Sequence, residues 1–161
     1  ACAARPEKPH AAPGVPAGAP DMPPIPKRPR NAPMAVLTGL VFECPVLFAK
    51  KSKTINLSDD IYSTTVYSFT HQVSKQVLVS KRYLNPGDRV LIVDDFLANG
   101  AALEGLCDIV GQAGAEVVGA AVAIEKAFQP GGARLRGRGL RIEALARIAA
   151  MSDDSIEFCE D

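Results

Sequence analysis

The sequence predicts an α/β fold built on an open, mainly parallel sheet flanked by helices, and three stretches carry that expectation. RVLIVDD (89–95) is too continuously apolar for a strand with one wet face, and reads as a central parallel strand. NGAALEGLCDIVGQAG (99–114) places apolar residues at 102, 103, 106, 109, 110 and 113. That is the spacing of an amphipathic helix, and Gly114 suits the position just past its end. AEVVGAAVAIEK (115–126) is a second buried strand. Strand, helix and strand in such close succession form a crossover unit, which makes the centre of the sheet parallel.

The remaining elements follow in order. Residues 1–32 form a leader that should stay extended or disordered. Through Pro33 the chain holds ten of the thirteen prolines and eight alanines, with no aromatic residue. Such a composition has too little apolar material to offset its ordering entropy. A folded domain is expected over 33–161. PMAVLTGLVF (33–42) reads as a short helix with proline in its first turn. PVLFAK (45–50) reads as a short strand, and KKSKTINLSDD (50–60) as a polar loop. IYSTTVYSFT (61–70) and KQVLVS (75–80) are rich in β-branched and aromatic residues and should be strands. Asn85-Pro86-Gly87-Asp88 has the residues of a type II turn. GLRIEALARIAAM and SIEFCE add strands near the C-terminus.

Composition narrows the function. The chain has 161 residues, enough for one domain with a sizeable core, and is 47% hydrophobic and 22% charged. Lysine plus arginine equals aspartate plus glutamate at 18 each, so no nucleic-acid or membrane partner is expected. No apolar run approaches the ~18 residues that span a bilayer. Cys2, Cys44, Cys107 and Cys159 include no C-x-x-C pair, which argues against a structural zinc site and for reduced thiols in a cytoplasmic protein.

The chemistry concentrates at 90–102, VLIVDDFLANGAA. Ligands of open parallel sheets sit beyond the carboxyl ends of the strands. Asp94 and Asp95 lie at that end, and Ala98, Asn99, Gly100, Ala101 and Ala102 lead into a helix N-terminus. Unpaired N–H groups there make an anion site, and small side chains leave them accessible. From pattern alone two readings stand. The stretch is either a sugar-phosphate cradle, with carboxylates for ribose hydroxyls, or a strand followed by a helix that Asn99 caps. The Gly-Lys-Ser/Thr ending of a P-loop and the G-x-G-x-x-G fingerprint are both absent.

The same stretch resembles the phosphoribosyl-diphosphate (PRPP) binding motif of type I phosphoribosyltransferases. APMAVLTG, PVLFAKKSKT, VYSFT, DDFLANG, QAGAEV and IEKAFQPG, in this order, resemble the bacterial xanthine phosphoribosyltransferase family. The resemblance implies the type I phosphoribosyltransferase fold and transfer of phosphoribose from PRPP to N9 of xanthine. The products would be xanthosine monophosphate (XMP) and diphosphate, in purine salvage. It assigns Asp94 and Asp95 to the ribose and the developing cationic centre, and Ala98, Asn99, Gly100, Ala101 and Ala102 to the 5′-phosphate. Lys51, with Lys50 and Lys53, falls near the diphosphate. Lys126 meets the exocyclic oxygen of the purine, and Phe128 stacks on the base or packs in the core. Tyr67 and Phe69 are assigned to core or dimer packing. Mg²⁺ is implied as a cofactor carried mainly by PRPP and diphosphate, with no metal site of protein side chains, and a homodimer is implied.

The resemblance begins near Asn31. The family's preceding hood, first core strand and diphosphate loop have no counterpart in the Pro/Ala leader. The expectation is therefore a domain truncated or altered at its N-terminus, with an unpaired sheet edge where the first strand would lie. Two other readings follow, a non-catalytic PRPP-binding regulatory module and an inactive fragment.

Overall fold

The computed structural model describes residues 2–4, 32–52, 60–68 and 73–160. Its elements in chain order are β1 (Cys2–Ala4), α1 (Ala32–Val41), β2 (Val46–Phe48), β3 (Lys50–Ser52), β4 (Ile61–Ser68) and β5 (Val73–Ser80). A single 3₁₀ turn (Lys81–Tyr83) precedes β6 (Arg89–Leu97), α2 (Ala101–Gln112), β7 (Glu116–Lys126), α3 (Pro130–Gly137), β8 (Ile142–Met151) and β9 (Ile156–Phe158). A six-stranded sheet has the order β2-β1-β6-β7-β8-β9, and β3-β5-β4 form a separate antiparallel sheet.

The centre of the large sheet is parallel, as expected. β6 pairs with β7 and β7 with β8 in parallel, while β9 closes that edge antiparallel to β8. The apolar run of 90–93 is explained by burial on both faces. Val90 and Ile92 pack with Leu103, Leu106 and Ile109 of α2. Val93 packs on the other face with Ala35 of α1 and with Val46. Each fully buried side chain of this kind contributes roughly 1.5–3 kcal/mol, so burial holds β6, α2 and β7 firmly together.

Two turns come out as the residues dictate. Asp88 N–H donates to Asn85 O at 3.2 Å, with Gly87 at φ 81°, in the type II turn that starts β6. At the end of α2, Gly114 N–H donates to Gly111 O at 2.9 Å and Ala115 N–H to Val110 O at 3.1 Å. That pair of bonds is the Schellman closure of a helix, and it sends the chain directly into β7.

Several expectations need correction. The PVLFAK strand is split: Val46–Phe48 joins the large sheet and Lys50–Ser52 pairs with β5 in the small one. The first residues of the supposed polar loop are therefore edge strand, and 53–59 lie outside the described residues. The leader is not wholly irregular, since Cys2–Ala4 pairs antiparallel with both β2 and β6. The edge of β6 expected to be open is thus covered, by backbone pairing that any sequence free of proline can supply. Residues 5–31 lie outside the described residues. Finally, α3 was not expected at all.

Candidate functional site

The carboxyl ends of β6 and β7 lie side by side, and the register fixes their relation. Asp94 is opposite Val122 and Leu97 is opposite Glu125, so Lys126 ends β7 one residue past the partner of Leu97. β6 itself continues two residues beyond the aspartate pair, because Leu97 is buried and still pairs with β7.

Asp94 is 7% exposed, while Asp95 is only partly buried. Alternation along the strand starts the two side chains toward opposite faces, but both carboxylates turn toward the carboxyl end of β6, each onto the next residue's N–H. Asp94 Oδ1 accepts the backbone N–H of Asp95 at 3.0 Å, and Asp95 Oδ1 accepts that of Phe96 at 3.0 Å. Burial pushes the Asp94 carboxyl above its ordinary range, and the neighbouring Asp95 charge adds to the rise against the Asp95 N–H bond.

The following loop settles the capping question raised by the sequence. The N-cap of α2 is Gly100, in the left-handed conformation at φ 82°, and among the described residues no side chain caps the helix. Among the described residues the first N–H groups of α2 therefore have no side-chain capping acceptor, the arrangement that suits an anion. Ala98, Asn99, Ala101 and Ala102 are all partly exposed around them.

α3 backs this loop. Gly131 N–H donates to Ala98 O at 3.2 Å, and Arg134 Nη2 donates to Asn99 O at 2.7 Å. Arg134 also holds both carboxylate oxygens of Glu104 at 3.1 Å, and Arg138 Nη1 donates to the same carboxylate at 2.9 Å. Gly131 is required by close approach. A methyl group there would overlap Ala98 O and stand 2.5 Å from Asn99 C and Gly100 N.

At the end of β7, Lys126 is half-buried and pairs with Ile148, and its carbonyl accepts Gln129 N–H at 2.9 Å in a tight turn. Phe128, within that turn, is 48% exposed, so it is not a core residue and its ring is open to a ligand. The turn is anchored by Glu125, which is 2% exposed and gripped by Arg136 and Arg147. The Arg136 hydrogen bonds hold its carboxyl below the usual range against the opposing effect of burial.

Lys51 is exposed on β3 opposite Val77, and its pairing ties it to the small sheet rather than to the elements that form the loop. Lys53 and Phe69 lie outside the described residues, and Tyr67 is 44% exposed, so it is not core. A hollow of about 560 Å³ bordered by Phe42, Arg89, Val118 and Arg141 opens at the opposite end of the strands and contains none of these residues.

Sequence reading missed Gly131, Arg134 and Gln129. Pro130 at the first helical position was the available signal for α3. Gln129 Oε1 is buried with no hydrogen-bond partner among the described residues.

The phosphoribosyl transferase domain profile matches residues 44–132, more than half of the chain. This chain belongs to that family. Xanthine phosphoribosyltransferase of Limosilactobacillus reuteri is 48% identical over 127 residues, covering 79% of this chain and 66% of its own length. The enzyme of that name from Finegoldia magna is 54% identical over 125 residues, covering 78% and 66%. The chain thus spans slightly less than two thirds of the length of these relatives. Among solved structures, adenine phosphoribosyltransferase from Thermoanaerobacter pseudethanolicus superposes with a TM-score of 0.61 at 22% identity, over 74% of this chain and 66% of that one. The Trypanosoma brucei enzyme in complex with AMP, pyrophosphate and ribose-5-phosphate gives 0.62 at 17%, over 74% and 53%. These likenesses show the type I phosphoribosyltransferase fold.

Proposed function

We propose that this protein is a purine phosphoribosyltransferase of xanthine preference, which joins the phosphoribosyl group of PRPP to N9 of xanthine and releases diphosphate. The observation that carries this reading is the continuous arrangement of Asp94, Asp95 and the uncapped amides at the start of α2, beside Lys126 at the end of the adjacent strand. The curated relatives carry that activity in their names.

The residues divide the work by charge. Amides of 99–102 face the 5′-phosphate at the positive end of the α2 dipole. Asp94 and Asp95 accept hydrogen bonds from the ribose hydroxyls and place negative potential near C1′. The C1′–O bond to diphosphate breaks with its electrons on oxygen, N9 donates a lone pair to C1′, and the base releases its imidazole proton to water. C1′ is cationic between these events, so a fixed negative field beneath it lowers the barrier. Lys126 donates to the 6-oxo group and Phe128 covers a face of the base. A 6-amino group offers no acceptor to Lys126, which disfavours adenine.

Mg²⁺ fits this donor set as an ion brought by the substrate. Asp94 and Asp95, at the carboxyl end of β6, would offer oxygen donors to an ion carried mainly by PRPP and diphosphate. The ion would neutralise charge on the leaving diphosphate. Among the described residues no helix is long and apolar enough to cross a membrane. A cytoplasmic homodimer belongs to the same proposal. Assaying the purified full chain with Mg²⁺, PRPP and each purine base for diphosphate release tests it. Xanthine should be the best acceptor.

A further inference from the structure

We infer that α3 is a backing clamp for the phosphate loop, in which Arg134 and Gly131 act as positioning residues that turn the Asn99 and Gly100 amides toward the ligand. This rests on reading 98–102 as the 5′-phosphate site. In a planar trans peptide, the carbonyl of one residue and the N–H of the next point in opposite directions. Gly131 N–H draws Ala98 O toward α3, so Asn99 N–H points away from it. Arg134 Nη2 draws Asn99 O the same way, so Gly100 N–H also points away. Gly100 O accepts Glu104 N–H at 2.9 Å in the first turn of α2, which aims Ala101 N–H out of the helix end. Successive amides are thereby presented on the side opposite α3, which is what an anion requires.

The charges agree with this role. Glu104 sits in the first turn of α2, where its carboxylate supports the helix but opposes a phosphate at the same end. Arg134 and Arg138 both bind that carboxylate and neutralise it. These ion pairs are substantially exposed, so they add little to stability, and their effect should fall on anion binding.

The test is calorimetric titration of the full chain with ribose 5-phosphate, and with PRPP plus Mg²⁺, using wild type, Arg134→Met and Arg134→Lys. Arg134→Met should weaken both ligands about tenfold, with a thermal midpoint within roughly 4 °C of wild type. Arg134→Lys should recover most of the loss, because an ammonium can still donate to Asn99 O. KM for xanthine at saturating PRPP should stay within about twofold of wild type. Equal binding by Arg134→Met and wild type overturns the clamp alone. A loss that Arg134→Lys does not recover, with a large fall in midpoint, assigns Arg134 a merely structural role and also overturns it. Wild type binding neither ligand removes the phosphate-loop reading itself, and the clamp with it.

Discussion

Arg136 grips the buried carboxylate of Glu125 with two hydrogen bonds, Nη1 to Oε1 at 2.6 Å and Nη2 to Oε2 at 2.8 Å, one residue before Lys126. Arg147 adds a third at 3.1 Å, and Arg136 Nη2 reaches Ile142 O at 3.3 Å. One carboxylate therefore ties the end of β7 to α3 and β8. Arg136→Met would leave that carboxylate in the interior with only Arg147. It should cost about 3 kcal/mol, at the low end for breaking a buried pair because Arg147 remains, measured by urea unfolding.

The same contact predicts how stability responds to acid. The Glu125 pKa is lowered in the folded state, chiefly by the Arg136 hydrogen bonds. Its contribution is therefore fully present above the unfolded carboxylate value of about 4.3 and is lost as pH falls through the lower folded value. Wild type should lose stability below about pH 4 more steeply than Glu125→Gln, whose side chain does not titrate. Parallel unfolding curves for the two proteins between pH 5 and pH 3 (roughly the titration range) would count against this role.

Asp94 has the opposite sign. Its folded pKa is raised, first by burial, so ionisation costs stability as pH rises from the unfolded value through the folded one. Asp94→Asn keeps an acceptor for Asp95 N–H and removes the buried charge. It should stabilise the protein by about 1 kcal/mol at neutral pH while lowering kcat about 100-fold. Thermal melts and steady-state rates on one preparation check both halves. In wild type, kcat should fall as pH drops through the raised Asp94 pKa.

Gly131→Ala places a methyl group against Ala98 O, Asn99 C and Gly100 N. Backbone on both sides leaves no flexible side chain to yield, so either α3 or the loop must shift. The expected result is an increase in KM for PRPP of roughly 100-fold, together with a loss of about 1–3 kcal/mol from overpacking. Unchanged PRPP kinetics would show that the loop tolerates displacement.

Lys126→Met removes the donor to the base and keeps the aliphatic stem. KM for xanthine should rise about tenfold or more, while the affinity for PRPP stays within about twofold. A variant that loses both equally would place Lys126 in folding rather than base recognition.

What could be read in the sequence was what hydrophobic period and turn chemistry encode. Val90 to Val93 announced a strand buried on both faces, the spacing from Ala102 to Ala113 a helix, and Asn85 to Asp88 the turn before them. α3 escaped because Leu135 is its one large buried side chain, and two of its first three residues are glycines. Its contacts are the backbone approach to Ala98 and arginines reaching Asn99 O, Glu104 and Glu125, none of which leaves a periodic apolar trace. Lys50 and Lys51 looked like a solvated loop because charge run and edge strand share a composition, and only pairing with β5 separates them. Cys2–Ala4 forms a strand by backbone pairing with β2 and β6, and three residues are too few to show a strand period. In the site, the acidic pair and Gly100 were legible as residue types. Which carboxylate is buried, and that Gly100 rather than Asn99 caps α2, depend on strand alternation and on the fit against α3.

The central claim is phosphoribosyl transfer to xanthine at the Asp94–Asp95 end of β6. Its most direct measurement is diphosphate release by the full chain given Mg²⁺ and PRPP with xanthine, guanine, hypoxanthine or adenine in turn. The account predicts XMP and diphosphate in equal amounts, fastest with xanthine and slowest with adenine. PRPP binding without diphosphate release from any base, or adenine as the best acceptor, would contradict it.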